Sequence, residues 1–347
     1  MHAVTVTSDG ALGWTEVQTP RPEANEVLIR VAASALNRAD ILQRKGLYPP
    51  PAGASQVLGL ECAGEIVEVG EGVSAHHIGE QVCALLDGGG YAEYVCVDRT
   101  LTLPVPQDMS VAVAAALPEV AATVWSNLVM VGQAQPGTAV LVHGGASGIG
   151  TTAIQAAVAL GCRVFATAGT EAKVKFCVEL GAEQAWDYRE EDLPFLVLEA
   201  TGGRGADLVL DNVGPNNLDR NIGLLARGGR IVIIGSQGGR QGSFNIGPLM
   251  AKQATVHATS LRQRGRAEKG EIVRATQAAF WPLIESRKLL PVVDSQFPMS
   301  DALAAHKHLE SGVHIGKVLL TQQPNRAPDS LGGSHPLSPA RHAATVG

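Results

Sequence analysis

The sequence has few groups that could hold a metal ion or form a disulfide framework. Its 347 residues include five cysteines, an odd number, and none of them forms a CxxC pair. No HExxH motif is present, so the ligand spacings typical of zinc sites are missing. The adjacent His76 and His77 stand in a turn, where we expect both side chains to be exposed. We predict no metal site and, from the isolated cysteines, a cytoplasmic protein.

An excess of positive charge is also missing. The chain has 27 Lys and Arg residues against 33 Asp and Glu residues, a formal net charge of −6, and no basic block. This composition lacks the electrostatic footprint of a nucleic-acid-binding protein. No basic segment followed by a long apolar core stands at the N-terminus, so we predict no signal peptide. No uninterrupted apolar run reaches about 18 residues, and we predict no membrane span.

Glycine and hydrophobic residues are plentiful, as in a compact α/β protein. The chain has 40 glycines and is 45% hydrophobic, and its length suits two domains. Residues 1–117 contain short β-branched runs between turn residues, typical of a small barrel. Beyond them, strands alternate with helical runs, which predicts right-handed crossovers and a parallel sheet. The predicted strands of this second unit are 138–143, 162–168, 184–187, 206–213, 230–235 and 253–261.

A glycine-rich turn joins a strand to a helix within residues 137–160. An apolar run leads directly into the turn, and helix-forming residues begin at Thr151. A helix N-terminus directs unpaired N–H groups and a positive dipole end at a phosphate, and glycine lets the backbone approach it. The segment therefore predicts a dinucleotide site, with Ser147 lining its groove. The glycines of the turn are Gly144, Gly145, Gly148 and Gly150.

The next predicted strand lacks the acidic residue with which an NAD site binds the ribose hydroxyls. Thr170 and Lys173 follow the strand instead, and Tyr188 and Arg189 follow the strand after it. Small, hydroxylic and cationic groups suit a 2′-phosphate, so the pattern favours NADPH over NADH. Glu171 fits this interpretation only if its carboxylate faces away from the phosphate.

Several segments occur together in one known family. They include ALNRADILQRKGLYPPPAG (35–53), LGLECAGEIVEVG (58–70), LVHGGASGIGTTAIQ (141–155), GGRIVIIGSQGG (228–239) and AHKHLESGVHIGKVLL (305–320). With them the chain resembles the zinc-independent medium-chain dehydrogenases/reductases of the NADPH:quinone oxidoreductase branch, and most closely the p53-inducible quinone oxidoreductase homologues. The resemblance covers residues 1 to about 321. Zinc-dependent relatives carry a ligand histidine where this chain has Leu60.

The resemblance implies an α/β fold, with a Rossmann doubly wound parallel sheet and a GroES-like β-barrel catalytic domain. Residues 1–117 and 262–321 would form the GroES-like domain, and residues 118–261 the Rossmann domain. We predict that the Pro-, Ser- and Gly-rich residues 322–347 are a disordered tail. The implied cofactor is NADPH, and the implied partner is a small-molecule quinone bound between the domains. We also predict a homodimer, because the strand at 253–261 would lie at or near the sheet edge.

The resemblance also implies roles for single residues. Asn37 and Tyr48 would border the nicotinamide and the quinone, and Tyr48 would bind the acceptor oxygen or relay a proton. Ser147 completes the predicted catalytic set. The predicted cofactor-binding residues are Ala146, Ser147, Gly148, Ile149, Gly169, Thr170, Lys173, Tyr188, Asn212, Ile234, Gly235, Ser236, Gln237, Thr259, Ser260, Leu261 and Lys317.

The predicted reaction is hydride transfer from NADPH to a quinone. A quinone needs little activation because its reduction gives a stabilised phenolate, so the absence of an evident general acid in the sequence is compatible with this reaction. Two alternatives stay open. An enoyl or alkenal reductase would use the same scaffold on a carbon–carbon double bond and would need a proton donor. A non-enzymatic NADPH-binding protein would carry the same glycine loop, and only a turnover assay separates it from an enzyme.

Overall fold

Two large β-sheets organise the chain. The computed structural model describes residues 1–7, 10–73, 78–190 and 192–322. His76, His77 and the predicted tail after Gln322 lie outside these residues. One sheet is parallel and doubly wound, and the other is largely antiparallel, as predicted for the fold class.

Strands and helices are numbered here in chain order. The strands are β1 (His2–Val6), β2 (Leu12–Glu16), β3 (Glu26–Ala35), β4 (Glu61–Val69), β5 (Gln81–Leu85), β6 (Tyr94–Asp98), β7 (Thr102–Pro104), β8 (Ala139–His143), β9 (Arg163–Ala168), β10 (Gln184–Asp187), β11 (Ala206–Asp211), β12 (Leu225–Ile233), β13 (Thr255–Ala258), β14 (Val293–Pro298) and β15 (Lys317–Thr321). The α-helices are α1 (Arg38–Arg44), α2 (Val111–Ala114), α3 (Pro118–Val124), α4 (Gly148–Ala159), α5 (Glu171–Glu179), α6 (Leu193–Ala200), α7 (Leu218–Leu224), α8 (Ile246–Lys252), α9 (Arg266–Glu285) and α10 (Ala302–Ser311). A π-helical segment, Trp125–Val131, continues α3.

The parallel sheet has the strand order β10-β9-β8-β11-β12-β13. All residues of β8 are buried, as expected for a strand with helices on both faces of its sheet. The chain winds from β8 towards one edge and from β11 towards the other. The switch point therefore lies between β8 and β11, where α/β sheets bind ligands at the carboxyl ends of their strands. β13 lies at the sheet edge, as the sequence predicts.

The second sheet has the order β14-β15-β3-β4-β5-β7, with β6 also paired to β3. The ten-residue β3 runs through its centre and has two register shifts against β4, which bend the strand. At Gly64, a Cβ atom would lie 2.0 Å from the carbonyl oxygen of Arg30, so only glycine permits this approach of β4 to β3. The β1–β2 hairpin forms a separate two-stranded sheet beside it.

The strands predicted for residues 118–261 fall on β8 to β13, whereas several boundaries elsewhere differ. The polar stretch Ser34–Lys45 is compatible with a helix by sequence, but Ser34 continues β3 and pairs with Cys62, so α1 begins after Asn37. The sequence pattern places a helical run before Pro118 and a second one from Ala121. In the structure Pro118 itself begins α3, because the first helical residue needs no N–H partner. The patterns do not predict β2, β7 or α8, which are short and bury little apolar surface. The predicted domain division stays a prediction.

The stretch Val111–Val131, which includes α2, α3 and the π-helical segment, is long and apolar enough to cross a membrane by length and composition. The sequence count of uninterrupted apolar runs missed it. However, 72% of its most apolar window is buried inside the protein. We therefore describe it as a core helix, which packs against α4 and α9.

The loop before β15 brings the two sheets together. The backbone N–H of Gly316 donates to the carbonyl of Ala146 over 2.9 Å, and Gly316 forms a parallel bridge with Ser147. β15 itself pairs with β3 and β14 in the second sheet. The glycine-rich turn after β8 is therefore held against the start of β15.

Candidate active site

The glycine-rich turn forms a sharp N-terminus for α4. Ser147 is the N-cap, and its Oγ accepts a hydrogen bond from the N–H of Gly150 over 3.0 Å. A Cβ atom at Gly150 would lie 2.2 Å from the carbonyl oxygen of Gly144. In the described part of the chain, the N–H groups of Gly148 and Ile149 have no acceptor. This is the arrangement that binds a phosphate at a helix N-terminus.

Thr170 and Lys173 lie at the start of α5, beyond the carboxyl end of β9. Thr170 is the N-cap and accepts from the backbone N–H of Lys173 over 3.3 Å. The Nζ of Lys173 donates to the carbonyl of Gly312 over 2.5 Å, in the loop after α10. Partial burial lowers the pKa of Lys173. Glu171 is exposed, so its carboxylate can face away from a phosphate at this position.

Tyr188 and Arg189 close this corner from β10. A Cβ atom at Gly169 would lie 3.0 Å from Cε1 of Tyr188, so only a very small residue leaves the ring in place. The Arg189 guanidinium lies 5.3 Å from the centre of the Tyr188 ring and donates to the carbonyl of Gly169 over 2.5 Å. Tyr188 is 52% exposed. The Arg189 guanidinium also pairs with the Asp187 carboxylate over 2.6 Å. The structure therefore has an exposed aromatic ring, Lys173 and the Arg189–Asp187 ion pair beside the predicted position of the 2′-phosphate.

Asn212 lies between the glycine-rich turn and the turn after β12. A Cβ atom at Gly144 would lie 2.4 Å from Nδ2 of Asn212. The carbonyl of Asn212 accepts from the N–H of Gln237 over 3.1 Å. Ile234 donates its backbone N–H to the carbonyl of Asp211 over 2.8 Å. The predicted residues 234–237 thus line the same edge of the sheet as Ser147.

Residues 259–261 follow β13 and connect to both sides of the cleft between the sheets. Thr259 Oγ1 donates to Oδ1 of Asn127, in the π-helical segment, over 2.6 Å. Ser260 Oγ and the Tyr48 hydroxyl lie 2.9 Å apart, and either can donate. Leu261 is buried. The Tyr48–Ser260 contact joins the loop after α1 to the end of the parallel sheet.

Asn37 and Lys317 belong to a buried polar network. The Lys317 Nζ donates to the carbonyl of Leu36, to Oδ1 of Asn37 and to Oε1 of Glu61, over 2.7, 2.8 and 2.7 Å. The Asn37 Nδ2 also donates to Oε1 of Glu61, over 2.9 Å. Lys317 is 4% exposed, and its Cδ would lie 2.3 Å from a Cβ atom at Gly148. We therefore expect Lys317 to act through Asn37 and the glycine-rich turn, and not by direct contact with a cofactor.

The structure adds Arg262, which the sequence reasoning missed as a site residue. Its guanidinium lies 5.5 Å from the centre of the Tyr48 ring, within the range of a cation–π contact. Its Nε donates to the carbonyl of Asp87 over 3.0 Å, and its Nη2 to Oε1 of Gln43 over 2.7 Å. Arg262 is thus held by Asp87 and Gln43, and its guanidinium packs against the face of the Tyr48 ring. Only its position two residues after Ser260, which the family resemblance names as a cofactor-binding residue, could have pointed to Arg262.

Two carboxyl groups lie beside the network, one on the fully buried Asp40 and one on the half-buried Glu119. Asp40 accepts from the backbone N–H groups of Asn37 and Gly59 and from the Tyr91 hydroxyl, and burial raises its pKa to about 6. Burial, and then the neighbouring Glu61 charge, raise the pKa of Glu119 to about 7. Neither Asp40 nor Glu119 stands in a recognisable motif, so nothing in the sequence indicates that their pKa values are raised.

No group of three or more His, Cys, Asp or Glu residues that could hold a metal ion occurs in residues 1–7, 10–73, 78–190 and 192–322. Leu60, at the position of the zinc-ligand histidine of the zinc-dependent relatives, is buried. The absence of a metal stays a prediction, because no ion or ligand bears on it.

Comparison with known proteins places this site in a family. Residues 23–107 match the alcohol dehydrogenase GroES-like domain, and residues 148–277 match the family described as zinc-binding dehydrogenase. A quinone oxidoreductase of Rattus norvegicus is 31% identical over 310 residues, which are 88% of this chain and 92% of that protein. The chain belongs to the medium-chain dehydrogenase/reductase family. Within it, this family member is quinone oxidoreductase-like.

Solved structures and a longer relative agree with the family assignment. The Escherichia coli quinone oxidoreductase complexed with NADPH aligns with a TM-score of 0.83 and 31% identity, over 92% of this family member and 98% of that chain. The CurK enoyl reductase aligns with a TM-score of 0.82 and 28% identity, over 92% and 98%. A phenolphthiocerol/phthiocerol polyketide synthase subunit of Mycobacterium tuberculosis is 30% identical over 94% of this family member, which spans 15% of that protein.

The Lys317–Glu61 pair allows a test of the buried network. Lys317→Met should lower the free energy of unfolding by about 3–5 kcal/mol, because it leaves the Glu61 carboxylate buried without its cation. The matched control is Arg30→Met, which breaks an exposed pair with Glu65 and should cost no more than about 1 kcal/mol. Urea-induced unfolding measures both values. Equal losses in the two variants would contradict the role assigned to Lys317.

Proposed function

We propose that this chain is an NADPH-dependent oxidoreductase that reduces a quinone in the cleft between its two sheets. The observation that carries the proposal is the Tyr48–Ser260 hydrogen bond, which seats a phenol at the carboxyl edge of the parallel sheet. Asn37 accepts a hydrogen bond from the Lys317 ammonium, and the hydrocarbon stem of Lys317 packs against Gly148 in the glycine-rich turn. In this proposal, the Tyr48 phenol, the Asn37 amide and the glycine-rich turn surround one ligand site. Ligand sites commonly form at such junctions.

The residues present fit the cofactor. The free N–H groups of Gly148 and Ile149 would hold its diphosphate, and Lys173 with Thr170 would hold the 2′-phosphate. The exposed face of Tyr188 would pack against the adenine. The bound cofactor supplies a hydride from its nicotinamide ring. Because β9 itself ends without an acid, and Thr170 and Lys173 follow it while the carboxylate of the exposed Glu171 can face away, the proposed preference is for NADPH over NADH.

The protein's own groups orient the acceptor. The Tyr48 hydroxyl would donate a hydrogen bond to an acceptor oxygen while Ser260 fixes the direction of the phenol. Arg262, stacked on the Tyr48 ring, keeps that ring at the cleft. We include zinc independence in the proposal, because the buried hydrocarbon side chain of Leu60 offers no ligand atom.

A second candidate is the reduction of a carbon–carbon double bond next to a carbonyl group. The similarity to an enoyl reductase supports it, together with the half-buried Glu119, whose pKa is raised and which lines a cavity with Leu261 and Arg262. This reaction needs a proton on carbon, whereas a quinone takes its proton on oxygen.

An acceptor panel distinguishes the two candidates. NADPH oxidation is followed with an ortho-quinone, a para-quinone and a 2-enoyl thioester, for the unaltered chain and for Tyr48→Phe. We expect turnover with at least one quinone, and a several-fold rise in its KM in Tyr48→Phe because one hydrogen bond to the acceptor is lost. Tyr94→Phe, in β6, is the control and should leave KM unchanged. Turnover of the thioester alone would favour the second candidate, and no turnover with any acceptor would contradict an enzyme.

We further propose that two copies pair through β13. Among the described strands, β13 pairs only with β12, so its outer edge offers backbone groups to a second copy. Ile246 and Met250, on the neighbouring α8, are 57% and 71% exposed. An apolar patch beside an open strand edge suits a twofold interface. A cytoplasmic location stays a prediction.

Light scattering tests the pairing. The unaltered chain should have twice the mass of one chain at micromolar concentration. Met250→Lys should shift the equilibrium towards single chains, because it buries a charge in the interface. Val178→Lys, at another exposed apolar position, is the control. A single-chain mass for the unaltered protein would contradict the pairing.

A further inference from the structure

Glu119 lines a small cavity next to the segment that follows β13. The cavity has a volume of about 10 Å³, which is room for about one water molecule. Leu60, Leu261 and Arg262 line it with Glu119. Leu261 is one of the predicted cofactor-binding residues, and Arg262 contacts the Tyr48 ring. Glu119 therefore lies beside the groups that would surround the acceptor.

Glu119 and Glu61 differ in the donors that face them. Glu61 accepts from the Lys317 ammonium and the Asn37 amide at Oε1, and from the backbone N–H of Glu119 at Oε2 over 2.9 Å. The Glu119 carboxyl group accepts one hydrogen bond, from Thr123 Oγ1 over 3.1 Å. Among the described residues, no cation contacts it.

Two neighbouring carboxyl groups with one buried ammonium near them do not both ionise at low cost, and Lys317 pairs with Glu61 alone. The donors favour the negative charge on Glu61, so the proton belongs on Glu119. A protonated carboxyl group beside the groups that would surround the acceptor is a proton source. The sequence gives no evident general acid, and the fold supplies this one by burial.

We propose that Glu119 donates the proton that completes reduction of the acceptor, an inference that rests on the proposed function. The acceptor gains a hydride from the reduced nicotinamide and is left as an anion. The O–H bond of Glu119 then breaks, and its proton bonds to that anion, on oxygen for a quinone. The acceptor has gained two electrons and two hydrogens, and NADP⁺ remains. Solvent water returns a proton to the Glu119 carboxylate.

The surrounding charges determine the pH dependence. Burial and Glu61 raise the pKa of Glu119 to about 7, Lys317 and the Thr123 hydrogen bond lower it, and Asp40 raises it. Across the cavity, Lys269 pairs with Asp87, and Arg262 adds a second cation. The acid form of Glu119 is lost as pH rises through about 7. The donor role therefore predicts that kcat falls on the alkaline side of neutrality.

The test compares the unaltered chain with Glu119→Gln and Glu119→Asp. Glu119→Gln keeps the acceptor for Thr123 but carries no acidic proton. We expect kcat to fall at least about tenfold with a para-quinone and about 100-fold with a 2-alkenal, and to lose its decline above neutrality. Glu119→Asp should recover part of the lost kcat, and its kcat should again fall above neutral pH. Glu199→Gln, exposed on α6, is the control and should behave as the unaltered chain.

Two further readouts are independent of turnover. In the unaltered chain without substrate, the infrared C=O absorption of protonated carboxyl groups should have a component that titrates near pH 7, and Glu119→Gln should lose it. The component of Asp40, whose pKa burial raises to about 6, should remain in both. NADPH affinity, from fluorescence titration, should stay within about twofold in both variants, which shows that the cleft is intact.

Each contrary result has a distinct meaning. A Glu119→Gln variant with the unaltered rate and pH profile overturns the donor role and leaves the proposed function standing. A slowed Glu119→Gln variant that keeps the pH decline and the infrared band shows a structural effect and also overturns the donor role. If the unaltered chain reduces no acceptor, the proposed function fails, and the donor role fails with it.

Discussion

The buried ion pair between Lys317 and Glu61 is the constraint on which the site depends. It joins the first residue of β15 to the first residue of β4, and through Asn37 it reaches the start of α1. Glu61 extends it to the first turn of α3. Each of these elements comes from a different part of the chain. An unpaired charge at this depth would cost several kcal/mol, so the pair specifies one mutual arrangement of the four elements.

The same arrangement builds the cleft. Because the Lys317 ammonium is held in place, its stem is fixed against Gly148, and Gly316 hydrogen bonds to Ala146. The glycine-rich turn is therefore aligned with Asn37 by this packing contact together with the hydrogen bonds of Lys317 and Gly316. On the far side, Tyr48 reaches Ser260, and Asn127 in the π-helical segment reaches Thr259. π-Helical segments are frequent at functional sites. This one positions the side-chain amide of Asn127 beside Thr259, the residue that follows β13.

Much of the fold could be predicted from the sequence, because its signals are local. The alternation of strands with helices predicts β8 to β13, and the edge position of the last strand follows from its place in the chain. The glycine-rich turn predicts a helix N-terminus directly after β8, since strand, glycines and helix are contiguous, although α4 begins at Gly148 and not at the predicted Thr151. The short β2, β7 and α8 lack a periodic apolar face, so the pattern gives no sign of them.

The site was predictable only in part, because its remaining features depend on tertiary contacts. Lys317, Glu61 and Asn37 are far apart in sequence, and nothing local shows that they meet. The raised pKa of Glu119 arises from burial and from the neighbouring Glu61 charge, and Arg262 gains its role only where it contacts the Tyr48 ring. The family resemblance names Asn37, Tyr48 and Lys317. It does not show that the Lys317 ammonium donates its hydrogen bonds to Leu36, Asn37 and Glu61 of the protein itself.

Calorimetric titration with NADPH and NADH tests the central claim most directly, since the site is built for a dinucleotide with a 2′-phosphate. The unaltered chain should bind NADPH at least about tenfold more tightly than NADH. Lys173→Met should remove most of that difference, and Lys175→Met, on the exposed side of α5, should keep it. Equal affinity for the two dinucleotides, tighter binding of NADH, or no binding of either would contradict the account.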